Sequence, residues 1–225
     1  MVRDAMALKI EHGHGFVAAL HAKGIVPFLK IDQGLEEMRD GVQLMKPMTR
    51  LNPLCKYAKS LGAFGTKMRS VIHQPNEAGI ERIVQQQIDY GLQISEHGLV
   101  PILEPEVSLT CPNRRQVEVL LLDFIEREMT RLPASRKVIW KLTIPDLDDF
   151  YCSLAQSEKV MRVLALSGDY SRNEACGQLA RQPQMIASFS RALLEGLQAE
   201  MSPEAFEVAL RKSIEQIQQR SSSTS

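Results

Sequence analysis

Short apolar runs alternate with longer segments of mixed polarity along this chain of 225 residues. The apolar runs have the length and composition of strands, whereas the longer segments repeat apolar residues at helical spacing. The predicted strands are 24–29, 64–72, 99–103, 138–143, 161–166 and 185–189. The predicted helices are 76–97, 113–131, 146–155, 171–181 and 203–219. Repetition of strand then helix predicts an α/β fold with parallel strands and crossover helices.

The pattern leaves two architectures open, a doubly wound sheet and a closed (β/α) barrel. No G-x-G-x-x-G or Walker-type loop follows a predicted strand, which weakens the nucleotide-binding version of the doubly wound sheet. We therefore favour the barrel, as one domain over residues 1–219. The remaining residues, 220–225, are polar and serine-rich and are expected to be a disordered tail.

The amino-acid composition argues against several classes of binding partner and site. Lys plus Arg and Asp plus Glu both number 27, so the net charge is zero and no nucleic-acid or membrane surface is predicted. The first residues lack the apolar core of a secretory leader, which predicts a cytoplasmic protein. The four cysteines show no C-x-x-C spacing and are expected to be reduced thiols. His12 and His14 lack a third ligand at metal spacing, so no metal site is predicted there. No cofactor is predicted either.

Lys141 is the most informative residue, because it lies inside the apolar run 138–144. Removing an ammonium group from water disfavours its charged form and leaves a free amine that can attack a carbonyl to form a Schiff base. A lysine that is salt-bridged or snorkels to water at a strand end explains the same pattern, since buried lysines are usually paired. Position alone does not decide between these two interpretations.

Charged and small polar residues recur near the ends of the other predicted strands. In a (β/α) barrel the active groups lie at the carboxyl ends of several strands, around one mouth. Cations and carboxylates in that arrangement suit a phosphorylated carbonyl substrate, with a lysine nucleophile and a carboxylate acid/base. The residues in question are Lys30, Asp32, Lys67, Arg69, Glu104, Glu106, Ser167 and Gly168.

Several long motifs occur in the order seen in class I fructose-bisphosphate aldolases, and the chain especially resembles their bacterial branch. The resemblance runs from about residue 8 to about residue 219 and is highly specific. The motifs are KID at 30–32, GVQLMKPM at 41–48, FGTKMRS at 64–70, GLVPILEPE at 98–106, WKLT at 140–143, LSG at 166–168 and IASFSRAL at 186–193. The resemblance implies a TIM barrel that cleaves fructose 1,6-bisphosphate reversibly and without a metal into dihydroxyacetone phosphate and glyceraldehyde 3-phosphate.

The resemblance also implies catalytic roles. Lys141 matches the Schiff-base lysine, and Glu104 matches the general acid/base. Glu106 is the companion of Glu104 at the strand end, and Lys67 matches the lysine that stabilises charge near the base. Asp32 matches a residue of the preceding active-site strand.

Substrate-binding roles follow in the same way. Ser167 and Gly168 match a loop whose backbone N–H groups hold one phosphate, and Arg191 matches the arginine that binds this phosphate by its side chain. Arg69 matches an arginine of the same pocket, and Lys30 a residue of the strand before it. An arginine offers a phosphate two parallel hydrogen bonds.

The chain departs from the family pattern at two places. Asp169 stands where a second glycine is usual, which adds a negative charge beside the phosphate and is expected to lower its affinity unless the side chain turns outward. Residues 9–20 resemble the first strand, but His21 follows where an aspartate is usual, and the next segment is missing. We therefore expect a barrel that lacks about one β/α unit near the N-terminus, with an open edge that favours homo-oligomers.

Three functions remain open at this point. The first is a working aldolase that acts on small sugar phosphates. The second is an impaired, aldolase-like protein that retains phosphate or partner binding. The third is a Schiff-base barrel enzyme of another substrate range, such as a deoxyribose-phosphate aldolase or a transaldolase, against which the long motifs at 64–70 and 186–193 argue.

Overall fold

Six parallel strands form the centre of the structure, a computed structural model that describes residues 15–221. These strands are β1 (Phe28–Lys30), β3 (Gly65–Ile72), β4 (Val100–Val107), β5 (Val138–Thr143), β6 (Val160–Leu166) and β7 (Met185–Ala187). They are hydrogen-bonded in the order β1-β3-β4-β5-β6-β7. A short strand, β2 (Val42–Gln43), adds to β3 in the antiparallel direction.

Helices connect the strands, as the alternating pattern predicts. They are α1 (Phe16–Ala22), α2 (Leu51–Ser60), α3 (Glu77–Glu96), α4 (Arg114–Glu128), α5 (Cys152–Gln156), α6 (Arg172–Leu179), α7 (Arg191–Leu194) and α8 (Pro203–Gln218). A turn of 3₁₀ helix, Met129–Arg131, extends α4. The longest helix, α3, begins at Asn76, whose side chain accepts a hydrogen bond from the Gly79 N–H group. Four of the apolar residues at helical spacing that predicted this helix are fully buried, namely Ile80, Ile83, Val84 and Ile88, whereas a fifth, Leu92, is partly buried.

The alternation of side chains along β3 and β4 separates the core from the site. Met68 and Leu103 are fully buried on the face that the helices cover. Gly91 lets α3 lie close to this face, because a Cβ atom there would lie 3.3 Å from Leu103 Cδ2. The charged neighbours Lys67 and Glu104 therefore point to the opposite face, where the site is.

The incomplete barrel is confirmed as the fold type. A closed barrel of this type has eight strands, and residues 15–221 supply six parallel ones. Within residues 15–221, β1 pairs only with β3 and β7 pairs only with β6, so both edges are open.

The start of the chain shows the main correction. The prediction of a strand at 9–20 is wrong for residues 16–20, which belong to α1, while residues 9–14 lie outside the described part. Gly24, at a φ of +71°, ends this helix. The N–H groups of Gly24 and Ile25 bond back to the carbonyls of His21 and Leu20. The first observed strand consequently begins at Phe28, four residues later than predicted.

Other boundaries also differ from the predictions. The predicted helix at 146–155 is helical only in α5, because Asp149 adopts a positive φ of 50° and interrupts the segment. The strand β2 and the helices α2 and α7 were not predicted. Ser221 accepts a hydrogen bond from the Ala187 N–H group at 2.9 Å, and the domain boundary at residue 219 stays a prediction.

All four cysteines lie in the described part, and all four are free thiols. Burial raises the pKa of the Cys55 thiol to about 11. Such a thiol is almost entirely protonated at neutral pH.

In residues 15–221, no helix has the length and apolar character needed to cross a membrane.

Close approach of β1, β3 and β4 makes Gly65 a sensitive position. A Cβ atom there would lie 2.0 Å from the Val100 carbonyl oxygen and 2.6 Å from the Phe28 ring. We expect Gly65→Ala to lower the free energy of unfolding by about 3 kcal/mol or more, because backbone must move. Gly177→Ala is the control, since nothing lies near that Cβ and alanine favours the helix by up to about 1 kcal/mol. Urea denaturation measures both, and equal midpoints would contradict the described strand packing.

Candidate active site

A cavity of about 490 Å³ opens at the carboxyl ends of the parallel strands. Every residue that the sequence singled out for the site lines it. These residues are Lys30, Asp32, Lys67, Arg69, Glu104, Glu106, Lys141, Ser167, Gly168 and Arg191. The fold thus brings together side chains that are up to 161 positions apart in the sequence.

Strand geometry explains why these side chains converge. Lys67 and Arg69 are two positions apart on β3, as Glu104 and Glu106 are on β4, and residues two apart on a strand share a face. The parallel register places Arg69 beside Glu104, and it pairs Lys30 with Lys67 on the other side of β3. Adjacent strands therefore present alternating cations and carboxylates to the cavity.

A buried carboxylate holds two lysines at the centre of the site. The Glu104 side chain is 4% exposed, with Oε1 at 3.0 Å from Lys141 Nζ and Oε2 at 2.5 Å from Lys67 Nζ. The side chain of Lys141 is itself only 13% exposed. Lys141 is thus paired, as the salt-bridge interpretation of the sequence required, and it also faces the cavity with a proton acceptor in direct contact.

Two further ion pairs complete this wall of the cavity. Arg69 Nη1 lies 2.9 Å from Glu106 Oε2. Lys30 Nζ lies 2.6 Å from Asp32 Oδ1, which also accepts a weak hydrogen bond from the Gly34 N–H group. The other carboxylate oxygen of Asp32 is buried and has no hydrogen-bond partner among the described residues. This oxygen therefore has hydrogen-bonding capacity that the described residues leave unused.

The loop after β6 forms another side of the cavity. Ser167 is buried, and its carbonyl accepts a hydrogen bond from the Tyr170 N–H group at 3.1 Å. Gly168 adopts a φ of +55°, and a Cβ atom there would lie 3.2 Å from Leu109. Asp169 turns outward and forms an ion pair with Arg191. The sequence analysis expected Asp169 to lower phosphate affinity unless its side chain turned outward, and the side chain has this outward orientation.

An arginine that the sequence analysis missed anchors this loop from behind. Arg114 donates to the Tyr170 hydroxyl at 2.9 Å, to the Ile144 carbonyl at 2.8 Å and to Glu118 at 3.1 Å. Burial raises the pKa of the Glu118 carboxyl, while Arg114 opposes that rise. The spacing of four between Arg114 and Glu118 on a helix was the available signal.

Comparison with known proteins identifies relatives over most of the chain. The family model described as fructose-bisphosphate aldolase class-I matches residues 1–113. The class 1 fructose-bisphosphate aldolase of Porphyromonas gingivalis is 47% identical over 88% of this chain and 67% of its own length. That of Clostridium acetobutylicum is 43% identical over 98% of this chain and 75% of its own length.

The chain belongs to the class I fructose-bisphosphate aldolase family. The resemblance seen in the motifs is thus confirmed, and the named relatives are lyases. The corresponding aldolase of Synechocystis is 48% identical over 88% of this chain and 66% of its own length. The chain therefore spans between about two thirds and three quarters of the length of these relatives.

A solved aldolase supports the fold. The structure of fructose-bisphosphate aldolase from Plasmodium falciparum matches with a TM-score of 0.70 at 19% identity, over 96% of this chain and 72% of that one. An identity this low bears on the fold and not on the residues of the site.

Five cavity residues of this aldolase family member were not predicted from the sequence. Gly34 and Leu35 follow Asp32, and Leu166 precedes Ser167, so each adjoins a residue that was predicted. Ser188 and Ser190 lie between β7 and Arg191 and add hydroxyl groups to the lining of the cavity. Their position within the IASFSRAL motif was the available signal.

The shared carboxylate predicts non-additive effects on stability. Glu104→Gln leaves the Lys67 and Lys141 ammonium groups without their carboxylate, so we expect the free energy of unfolding to fall by about 1–3 kcal/mol. Adding Lys141→Met removes one of the two repelling cations and should recover about 1 kcal/mol of that loss. Urea denaturation of the two single variants and the double variant measures the coupling.

Glu106→Gln is the matched control for this cycle. Its partner, Arg69, is 39% exposed, so water compensates for the lost ion pair and the cost should stay below about 1 kcal/mol. Additive effects of Glu104→Gln and Lys141→Met would show that the two side chains do not share the contact described.

Proposed function

We propose that this chain carries out the Schiff-base cleavage of fructose 1,6-bisphosphate, with Lys141 as the nucleophile. The contact between Lys141 Nζ and the buried carboxylate of Glu104 carries the proposal. A lysine nucleophile needs a nearby group that removes its proton, and Glu104 Oε1 lies within hydrogen-bond distance. Membership of the aldolase family supports the same reaction.

The first half of the proposed reaction forms the Schiff base. Glu104 accepts a proton from the ammonium group of Lys141, and the free amine adds to the C2 carbonyl of the open-chain ketose. Glu104 then returns the proton to the carbinolamine hydroxyl, which leaves as water. The product is a protonated imine between Lys141 and the substrate. The second ammonium, Lys67, stabilises Glu104 on its other oxygen whenever Glu104 is a carboxylate, before it accepts the proton and after it returns it.

The second half breaks the carbon–carbon bond. Glu104, again a carboxylate, takes the proton of the C4 hydroxyl, whose electrons form the aldehyde as the C3–C4 bond breaks. The electrons of that bond move to the imine nitrogen and give an enamine. The aldehyde, glyceraldehyde 3-phosphate, leaves; the proton returns to C3, and water releases dihydroxyacetone phosphate from Lys141.

Substrate binding in the proposal uses the opposite side of the cavity. The loop at Ser167 and Gly168 and the guanidinium of Arg191 hold one phosphate group. Asp32, with a free buried oxygen, accepts a hydrogen bond from a sugar hydroxyl. Arg69 and Lys30 lie toward the rim, where the other phosphate approaches.

A second candidate function is an aldolase-like protein that binds sugar phosphates without cleaving them. The six-stranded open sheet favours it, because the strands that would close the barrel are absent from the described part.

The open edges at β1 and β7 also support homo-oligomer formation as a proposal. Cytoplasmic location remains a proposal, supported by the glycolytic description of the matching family model.

Reductive trapping distinguishes the two functions. Incubation with dihydroxyacetone phosphate and borohydride should give one covalent adduct per chain, located on Lys141 by peptide mass spectrometry. Lys141→Met should abolish the adduct, whereas Lys56→Met, an exposed lysine of α2, should leave it unchanged. Folded protein, judged by circular dichroism, that gives no adduct would reject cleavage and support the binding function.

Glu104 should affect the rate and not the binding step. Glu104→Gln keeps the shape but cannot move protons, so we expect kcat for cleavage to fall by about 10²- to 10⁴-fold. Glu106→Gln serves as the comparison, since Glu106 contacts Arg69 rather than Lys141. Steady-state kinetics of both variants is the measurement, and an equal fall in both would count against Glu104 as the acid/base.

A further inference from the structure

We propose that Asp169 determines phosphate affinity in this protein, by competing with the substrate phosphate for Arg191. Asp169 stands where the family resemblance implies a glycine, and it forms an ion pair with the guanidinium that the proposed function assigns to the phosphate. The proposal rests on the proposed function only where that function places a phosphate beside Arg191.

Arg191 lies between two cavities, and Asp169 approaches it from the outer one. The arginine lines the catalytic cavity together with Ser167 and Gly168. It also lines an adjoining cleft, and Asp169 is a wall of that cleft but not of the catalytic cavity. The carboxylate therefore pairs with Arg191 from the side of the outer cleft and not from within the catalytic cavity.

The charges around the catalytic cavity show why this matters. Each cation lining the cavity has a carboxylate partner, and for four of the five that carboxylate also lines the cavity. The cations are Lys30, Lys67, Arg69, Lys141 and Arg191, and the lining carboxylates are Asp32, Glu104 and Glu106. The lining residues thus have a net formal charge of +2, which Asp169 reduces to +1.

The ion pair is weak enough for a ligand to displace. The Asp169 and Arg191 side chains are 70% and 61% exposed, and exposed pairs contribute little to stability. A phosphate group, with a charge between about −1.5 and −2 at neutral pH, can replace the carboxylate on Arg191. It must then bind beside the displaced carboxylate, whose repulsion lowers its affinity.

Binding of inorganic phosphate tests the proposal without requiring catalysis. Asp169→Asn keeps the size of the side chain and removes its charge. We expect the Kd for phosphate, measured by ³¹P NMR titration at low ionic strength, to fall by about five- to tenfold. The gain should shrink as salt is added, because exposed charges are screened.

Two further variants separate the proposed competition from a general change in charge. Asp148→Asn removes an exposed carboxylate that pairs with Arg181 and lines neither cavity, so the Kd should not change. In an Arg191→Gln background, Asp169→Asn should lower the Kd for phosphate by less than twofold. A gain that persists without Arg191, or no gain in the first variant, would overturn the proposal, as would a failure of both wild type and Asp169→Asn to bind phosphate.

The test is independent of the aldolase reaction. The borohydride adduct on Lys141 reports on the nucleophile, whereas the titration reports only on the phosphate site. A change in phosphate affinity without an adduct would reject the proposed cleavage and still support the role of Asp169. An adduct on Lys141 with no change in phosphate affinity would support the proposed cleavage and reject the role of Asp169.

Discussion

The parallel pairing of β3 with β4 is the constraint on which the rest of the site depends. The two strands are in register over eight residue pairs, from Gly65 with Val100 to Ile72 with Val107. That register sets Lys67 and Glu104 on the same face, where the carboxylate reaches two ammonium groups from two neighbouring strands. A slip of one residue would turn the charged side chains toward the helices and the apolar ones toward the cavity.

The centre of the candidate site lies in the best-paired part of an incomplete barrel. The strands β3 to β6 are six to eight residues long, whereas the edge strands β1 and β7 have three each. The central residues, Lys67, Glu104 and Lys141, lie on three of the long strands. The contacts of Glu104 therefore depend on the long central strands and not on the short edge strands. A chain that spans about two thirds to three quarters of its relatives' length can thus form these contacts.

The side of the cavity that is proposed to bind phosphate is built differently. It consists of a loop after β6 and the start of α7, and Arg114 joins the Tyr170 hydroxyl of this loop to the Ile144 carbonyl just after β5. The exposed Asp169 side chain adds its charge at the outer surface of the same loop, where it pairs with Arg191. The contacts on this side are thus separate from the contacts of Glu104 with the two lysines.

The sequence by itself determined the alternation of strands and helices, the family, and all ten residues proposed for the site. Periodicity and motif identity are local properties, and the motifs are long enough to be specific. Tertiary structure alone decided the pairing of the charges. The bridging of Lys67 and Lys141 by Glu104 requires three strands in register, and the pairing of Asp169 with Arg191 joins the loop after β6 to the start of α7, 22 residues further along the chain.

Tertiary structure also decided whether residues 16–20 form a strand or a helix. Residues 16–20 were predicted as a strand by resemblance, but they form a helix that Gly24 ends. A strand needs a neighbour to satisfy its backbone hydrogen bonds, whereas a helix satisfies its own. Whether a short apolar segment becomes a strand or a helix thus depends on the sheet beside it, which the sequence of the segment does not contain.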